Sequence, residues 1–129
     1  MFILSAPITP VKAQKTAGTG KYQQISNDLA TYSKQLREEN PDVVNNLFEM
    51  SRAVFAPGAL DTKTKELICL GIAVANRCDG CIASHTRASV KAGATREEII
   101  EALGVAVLMG GGPSYVYSTH VLEVMDEMK

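Results

Sequence analysis

The sequence contains no tryptophan and only a few other aromatic residues, four tyrosines and three phenylalanines. Hydrophobic residues nevertheless make up 46% of its 129 positions. The core must therefore be built from Ala, Val, Leu, Ile and Met, a composition that favours helices. A chain of this length is large enough for one domain with a real core and too short for two.

The chain also lacks an excess of either charge, because 13 basic and 14 acidic side chains give a formal net charge of −1. The basic residues are dispersed along the chain rather than gathered in a stripe, which argues against nucleic acid as a partner. No apolar run reaches the roughly 18 residues that a membrane-spanning helix needs, so we expect no membrane segment.

The sequence contains three cysteines, and a scaffold held together by disulfides would need a larger and even number. Cys78 and Cys81 lie close together among polar residues, whereas Cys69 lies within an apolar run and is predicted to be a small core residue. One close pair of thiols suits a reducing cytoplasm in which the pair is oxidised reversibly. We therefore expect a cytoplasmic protein.

The N-terminal segment lacks the charged start and the long apolar centre of a signal peptide. We interpret residues 1–20 as an irregular arm that precedes a single helical domain at residues 21–129. A strap onto a neighbouring subunit, or a remnant of expression, fits the same residues, and the sequence does not choose among them.

Apolar residues recur at three- and four-residue steps from about Tyr22 onward, which is the pattern of amphipathic helices. No stretch shows sustained two-residue alternation bounded by turns, so we expect no strands. The sequence thus predicts an all-α, single-domain bundle of about six helices. The predicted breaks between the helices are Asn40–Pro41, Pro57–Gly58, Asn76–Arg77, Lys91–Gly93 and Gly110–Pro113. Thr95 and Glu98 have the Thr-x-x-Glu spacing of a capping box, which predicts the start of the fifth helix.

Two of these helices carry further expectations. The third helix is almost wholly apolar from Leu67 to Ala75, and a helix that is apolar all round is expected to be buried. The last helix carries Tyr117 and His120, for which a place at the surface or at a subunit contact is favoured over a place in the site. The glycine-rich break before it is interpreted as a helix break rather than an anion site.

The segment with the clearest chemistry is Cys78-Asp79-Gly80-Cys81, at the predicted start of the fourth helix. The first N–H groups of a helix are unpaired and its dipole is positive there, so a thiolate is stabilised. Two intervening residues allow a tight disulfide, as in thioredoxin-like motifs. This pattern indicates a redox-active pair, since inert structural cysteines usually lie among apolar residues.

His85 follows Cys81 by four residues and Cys78 by seven, so all three lie along one face of a helix. An imidazole at that place can take or return a thiol proton near neutral pH. Glu66 lies on the preceding helix, where a carboxylate beside an apolar stretch must be paired or held neutral. Twelve residues of helix would carry it about 18 Å from Cys78. Spacing alone therefore does not bring Glu66 to the sulfurs, and a surface carboxylate fits equally well.

The spacing Glu66-x11-Cys78-x2-Cys81-x3-His85 resembles the signature of the alkyl hydroperoxidase D-like (AhpD-like) group within the carboxymuconolactone decarboxylase superfamily. The apolar run after the glutamate, the segment after the histidine and the glycine-rich break before the last helix resemble that group as well. The resemblance covers roughly residues 40–125.

The resemblance implies an all-helical fold and a thiol-dependent peroxidase in which these four residues form a proton-relay network. In such proteins the cysteine pair cycles between dithiol and disulfide while it reduces hydroperoxides, and a lipoyl- or thioredoxin-like donor restores it. The resemblance assigns Cys81 as the attacking thiol and Cys78 as the resolving thiol. It implies no bound cofactor and no metal.

The sequence departs from the group's pattern at Gly80, where the best-described peroxidases of the group carry a second histidine. Either His85 with water then suffices for the relay, or the rate of peroxide reduction is low. Those peroxidases are also longer, doubled units, whereas a chain of this length resembles the short members, which form homo-oligomers, often hexamers.

Two other functions stay open at this point. Cys78, Cys81 and His85 offer three ligands for a zinc-binding interaction protein, with Glu66 or His120 as a fourth. No second Cys/His pair accompanies them, which counts against a structural zinc site. The decarboxylase or lactone chemistry of the wider superfamily is the other alternative, although the cysteine pair is not needed for that reaction.

Overall fold

The computed structural model describes residues 20–129. The irregular arm predicted for residues 1–20 therefore lies, apart from Gly20, outside the described residues. Within the described range the regular elements are all helices, which confirms the all-α prediction. They are α1 (Lys21–Glu39), α2 (Pro41–Val54), α3 (Thr62–Ala75), α4 (Asp79–Lys91) and α5 (Arg96–Glu127).

Local capping explains where several helices begin. Asp61 caps α3 by accepting a hydrogen bond of 2.8 Å from the backbone N–H of Thr64. Thr95 and Glu98 form the reciprocal capping box that the sequence predicts at the start of α5. The side chain of Asn40 makes no capping hydrogen bond, so the start of α2 depends on the proline that follows it.

The fifth and sixth helices of the sequence prediction form one 32-residue element, α5, with a kink inside it. Gly111 has φ 67° and ψ −152°, a combination that is essentially restricted to glycine. Pro113 follows two residues later and lacks the N–H that the preceding turn would use. The predicted break is therefore a bend within α5, and the described chain has five helical elements instead of about six.

The core lies where α3, α4 and α5 meet, and α1 covers it with one aromatic side chain. Tyr22 is fully buried and is the largest side chain in this core. The remaining members are mostly aliphatic, as the composition requires. They are Leu70, Ala73, Val74, Ile82, Ala83, Ala94, Ile99, Leu103, Ala106, Val121, Val124 and Met125.

A short turn joins α3 to α4 and fixes the start of α4. Arg77 has φ 57°, and it is the only non-glycine residue among residues 20–129 with a left-handed backbone conformation. Its N–H donates to the carbonyl of Val74 at 3.1 Å, and the N–H of Cys78 donates to the carbonyl of Ala73 at 3.0 Å. This pair of bonds is a Schellman closure, and it ties the first cysteine of the motif to the end of α3.

The expectation that α3 is buried all round is wrong for the single chain. Ile72 is 55% exposed, and with Ile68 it lines an apolar groove of about 390 Å³ between α3 and α5. On α5, Leu108 and Met109 are 81% and 80% exposed. The reason is geometric, because a single chain of five helices offers α3 neighbours on part of its circumference only.

Among the helices of residues 20–129, α5 is the one that is long and apolar enough, by length and composition alone, to cross a membrane. Only 22% of its most apolar 18-residue window is buried within the chain. A few polar residues and glycines interrupt the window, which is why no unbroken apolar run is visible in the sequence.

Candidate redox site

Cys78 and Cys81 are joined by a disulfide at the N-terminus of α4, with their Cα atoms 5.2 Å apart. Cys78 is the N-cap residue of the helix, and its Sγ accepts a hydrogen bond of 3.2 Å from the backbone N–H of Cys81. Both residues are half-buried. The predicted pair thus lies where unpaired N–H groups and the helix dipole favour sulfur carrying negative charge.

The imidazole of His85 is paired with the carboxylate of Glu66, with Nδ1 and Oε2 2.7 Å apart. The side chains are 31% and 11% exposed. Because α3 and α4 are antiparallel neighbours joined by a short turn, Glu66 lies opposite His85 rather than opposite the sulfurs. Glu66 therefore joins the site through the histidine, although its spacing from Cys78 alone does not bring it to the sulfurs.

This pairing determines which histidine nitrogen is available. With Nδ1 held by the carboxylate, Nε2 is the nitrogen that can exchange a proton with another group. His85 lies one helical turn after Cys81, and side chains four residues apart on a helix are neighbours. The structure thus pairs Glu66 with His85, and it joins Cys78 to Cys81 one helical turn before that histidine.

Cys69 lies beside this pair and not in the apolar core. Its sulfur, a carboxylate oxygen of Glu66 and a ring nitrogen of His85 all lie within 4.8 Å of one another. Burial, and then the charge of Glu66, raises the pKa of the Cys69 thiol. The sequence placed this residue in the core because its neighbours in the chain are apolar. The rotation of α3 instead turns it toward the carboxylate.

The predicted zinc ligands are arranged differently from the sequence hypothesis. Two of the three, Cys78 and Cys81, are joined to each other in this structure. The set of potential ligand atoms that the described residues bring together is that of Glu66, Cys69 and His85.

A second imidazole–carboxylate pair lies at the cysteine motif, and sequence reasoning missed it. Nδ1 of His120 is 2.7 Å from Oδ1 of Asp79, the residue directly after Cys78. The hydroxyl of Tyr22 donates to the same oxygen at 3.3 Å. The sequence favoured a surface or subunit place for His120; in the single chain its side chain is 22% exposed and contacts the residue next to Cys78.

Aromatic rings enclose this second pair. The ring of Tyr117 lies 4.7 Å from that of His120, and the ring of Tyr22 lies 5.9 Å from it. Burial, and then the charge of Asp79, raises the pKa of Tyr22, so its hydroxyl stays protonated and able to donate. No sequence signal reveals the contact, because 41 residues separate Asp79 from His120.

Charged groups at the start of α1 hold Tyr22 in place. The carboxylate of Glu127 accepts from the backbone N–H groups of Tyr22 at 3.0 Å and Gln23 at 2.9 Å. Arg87 reaches the same carboxylate at 3.7 Å and donates to the hydroxyl of Ser26 at 2.6 Å. An anion at a helix N-terminus is favourable, and these bonds fix α1 against α4 and α5.

Comparison with known proteins gives relatives for most of the chain. The curated uncharacterized protein 4 in the cox locus of Paracoccus denitrificans is 42% identical over 79 residues, which are 61% of this chain and 71% of that protein. A crystal structure of a carboxymuconolactone decarboxylase family protein from Legionella pneumophila superimposes with a TM-score of 0.80 at 45% identity, covering 83% of this chain and 96% of that one.

A second solved structure comes from Thermotoga maritima. It is a carboxymuconolactone decarboxylase family protein for which a possible involvement in antioxidative response is stated. It superimposes with a TM-score of 0.62 at 38% identity, covering 65% of this chain and 87% of that one. The sequence profile of the carboxymuconolactone decarboxylase family matches residues 41–124. This match, together with the two structures, shows that the chain belongs to the carboxymuconolactone decarboxylase family, as an AhpD-like member.

Proposed function

We propose that this protein is a thiol-dependent peroxidase that reduces hydroperoxides through the Cys78–Cys81 couple. The observation that carries the proposal is the joint placement of two redox elements. The cysteine pair lies at the N-terminus of α4, and the hydrogen-bonded Glu66–His85 pair lies one turn further along. The possible involvement in antioxidative response of the Thermotoga maritima relative is in keeping with it.

The chemistry needs two thiols and two protons. The thiolate of Cys81 attacks the terminal oxygen of the hydroperoxide, the O–O bond breaks, and the sulfur becomes a sulfenic acid while the alkoxide takes a proton and leaves as an alcohol. The thiolate of Cys78 then attacks the sulfenic sulfur, the disulfide forms, and the released hydroxide takes the second proton to become water. The dithiol loses two electrons and the peroxide gains them.

The Glu66–His85 pair serves the first of these steps. His85 takes the proton of the Cys81 thiol and returns it to the departing alkoxide, and Glu66 holds the ring in the required tautomer. Gly80 stands where the better-described peroxidases of the group carry a second histidine. In this chain His85 is therefore the relay group on the Cys81 side.

A dithiol carrier of the lipoyl or thioredoxin type restores the pair by thiol–disulfide exchange in a reducing cytoplasm. The half-buried sulfurs at a helix N-terminus support this step, since the mixed disulfide needs access to one of them. No resident cofactor or metal is part of the cycle.

We also propose that the chain associates with copies of itself through the apolar groove between α3 and α5. The support is the exposure of Ile72, Val105 and Met109, which line this groove, in the single chain, because soluble chains rarely leave such patches uncovered. Ile72→Glu should then lower the mass in sedimentation, whereas Lys91→Glu at an exposed position should not. An Ile72→Glu protein of unchanged mass would refute this interface.

The direct test of the peroxidase is a count of free thiols on reduced protein, with and without one equivalent of hydroperoxide. The wild type should lose two thiols per chain, and dihydrolipoamide should restore them. Cys78→Ser and Cys81→Ser should each abolish turnover with the dithiol donor. Normal turnover by both variants would refute the proposal.

A zinc site is the competing proposal, and the observation that favours it is the cluster of Glu66, Cys69 and His85. Metal analysis of the protein as purified separates the two. Stoichiometric zinc that resists dialysis and is lost in Cys69→Ala would favour the zinc site. The decarboxylase chemistry for which the family is named would be supported only by lactone turnover that survives loss of both Cys78 and Cys81.

A further inference from the structure

The cysteine motif is flanked by two imidazole–carboxylate pairs, of which the proposed cycle uses one. Glu66–His85 lies beyond Cys81, and Asp79–His120 lies at the Cys78 end of the motif. Both pairs join a histidine Nδ1 to a carboxylate oxygen at 2.7 Å. The reduction of a hydroperoxide by a dithiol moves two thiol protons, one from each cysteine.

Chain geometry assigns each pair to a different sulfur. His85 is one turn from Cys81 but two turns, about 10 Å of helix rise, from Cys78. Asp79 is covalently next to Cys78, so its Cα lies about 3.8 Å from that of the cysteine. The second pair is therefore close to Cys78 in the way that the first is close to Cys81.

Because Asp79 is charged, the groups that hydrogen-bond to it affect the ionisation of the neighbouring Cys78. A carboxylate one residue from Cys78 disfavours a thiolate there, since like charges raise the free energy of the ionised sulfur. Hydrogen bonds from His120 and Tyr22 engage that carboxylate, and the backbone N–H of Cys81 already donates to the Cys78 sulfur. These three donors favour ionisation of Cys78 against the charge of Asp79.

Other charged groups also face this pair from the surrounding helices. Lys21 of α1 lies 5.0 Å from the ring centroid of Tyr22, and the carboxylates of Glu123 and Glu127 on α5 act on the same tyrosine. Glu127 is engaged by backbone N–H groups of α1 and by Arg87 of α4. His120 is thus the imidazole that directly contacts the Asp79 carboxylate.

We propose that His120 and Asp79 form a second proton-transfer pair that serves the thiol of Cys78. His120 accepts the Cys78 proton before this sulfur attacks the sulfenic acid, and it returns the proton to the hydroxide that leaves as water. Asp79 is a positioning residue, and Tyr22 holds Asp79. The inference deepens the proposed dithiol function and rests on it, and it gives this chain a histidine near Cys78 although Gly80 carries none.

The test measures how fast each thiol of the reduced protein is alkylated by iodoacetamide as the pH is varied, with mass spectrometry to separate the peptides. Cys81→Ser leaves Cys78 as the sole thiol of the pair, and Cys78→Ser leaves Cys81. Each background is combined with His120→Gln and, as the matched control, with His85→Gln. A circular dichroism melt of every variant shows that it is folded.

His120→Gln should reduce alkylation of Cys78 near neutral pH by roughly three- to tenfold, moving its profile to higher pH, and should leave Cys81 within about twofold. His85→Gln should show the reverse preference. Asp79→Asn provides a second variant should His120→Gln fail to fold. It removes both the charge next to Cys78 and the acceptor that holds His120, so the pH dependence of alkylation should change at Cys78 and not at Cys81.

An unchanged Cys78 profile in His120→Gln, or an equal shift of both cysteines, would overturn the inference. Because the readout needs no peroxide, it is independent of the test of the peroxidase. If hydroperoxide removes no free thiols while the alkylation profile of Cys78 still shifts in His120→Gln, the peroxidase proposal is refuted and the proposal of a second proton-transfer pair is supported.

Discussion

Removing either partner of the Glu66–His85 pair should have unequal effects on stability and similar effects on catalysis. His85→Ala leaves the Glu66 carboxylate, 11% exposed, without its partner. Breaking a fully buried pair from one side costs about 3–5 kcal/mol. Because the His85 side chain is 31% exposed, water enters the vacated place, and we expect a loss of about 2–3 kcal/mol.

Glu66→Gln should be milder for the fold. The amide keeps the size of the side chain and an oxygen that can accept a hydrogen bond, and it removes the charge that is costly to bury. We expect a change in the free energy of unfolding within about 1 kcal/mol. Both variants nevertheless remove the carboxylate-held imidazole, so both should slow peroxide-dependent thiol loss about 100-fold.

Two measurements on the same samples check this reasoning. Urea unfolding of the reduced protein gives the stability difference, and stopped-flow thiol loss at pH 7 gives the rate. Ser84→Ala, at an exposed position next to His85, is the control and should change stability by less than about 0.5 kcal/mol. A Glu66→Gln variant with the rate of the wild type, or a His85→Ala variant as stable as Glu66→Gln, would refute the reasoning.

Three further predictions concern the neighbouring thiol and the backbone. Because burial and the charge of Glu66 raise the pKa of Cys69, that thiol should be the slowest of the three to be alkylated at pH 7.5, and Glu66→Gln should speed it; peptide mass spectrometry gives the order, and Cys69 reacting first would contradict it. Gly111→Ala should destabilise the fold by about 1–3 kcal/mol because the backbone there suits glycine alone, whereas Gly112→Ala, with nothing within 4 Å of an added Cβ, should be neutral or slightly stabilising in urea unfolding; equal effects at the two positions would refute the assignment of strain. Arg77→Gly should stabilise by about 1 kcal/mol, since a non-glycine residue is strained at φ 57°, and a lower midpoint in urea would show that the arginine side chain contributes more than the strain removes.

The sequence by itself determined the features that depend on neighbours along the chain. Apolar residues at helical spacing predicted the helices, and Thr95 with Glu98 predicted the start of α5. The motif predicted a cysteine pair at a helix N-terminus, with His85 one turn beyond Cys81 on the same face. These are contacts within one helix, whose geometry is the same in every protein, so spacing suffices to predict them.

Only the tertiary structure decided which residues of different helices meet. Glu66 lies against His85 because α3 and α4 pack as an antiparallel hairpin, and His120 contacts Asp79 across 41 residues of sequence. Such contacts depend on how each helix is rotated about its own axis. The apolar pattern of α3 leaves that rotation undetermined, since it is apolar nearly all round, and so Cys69 was predicted in the core. Its place beside the carboxylate follows from packing alone, because only packing sets which side of a uniformly apolar helix faces its neighbours.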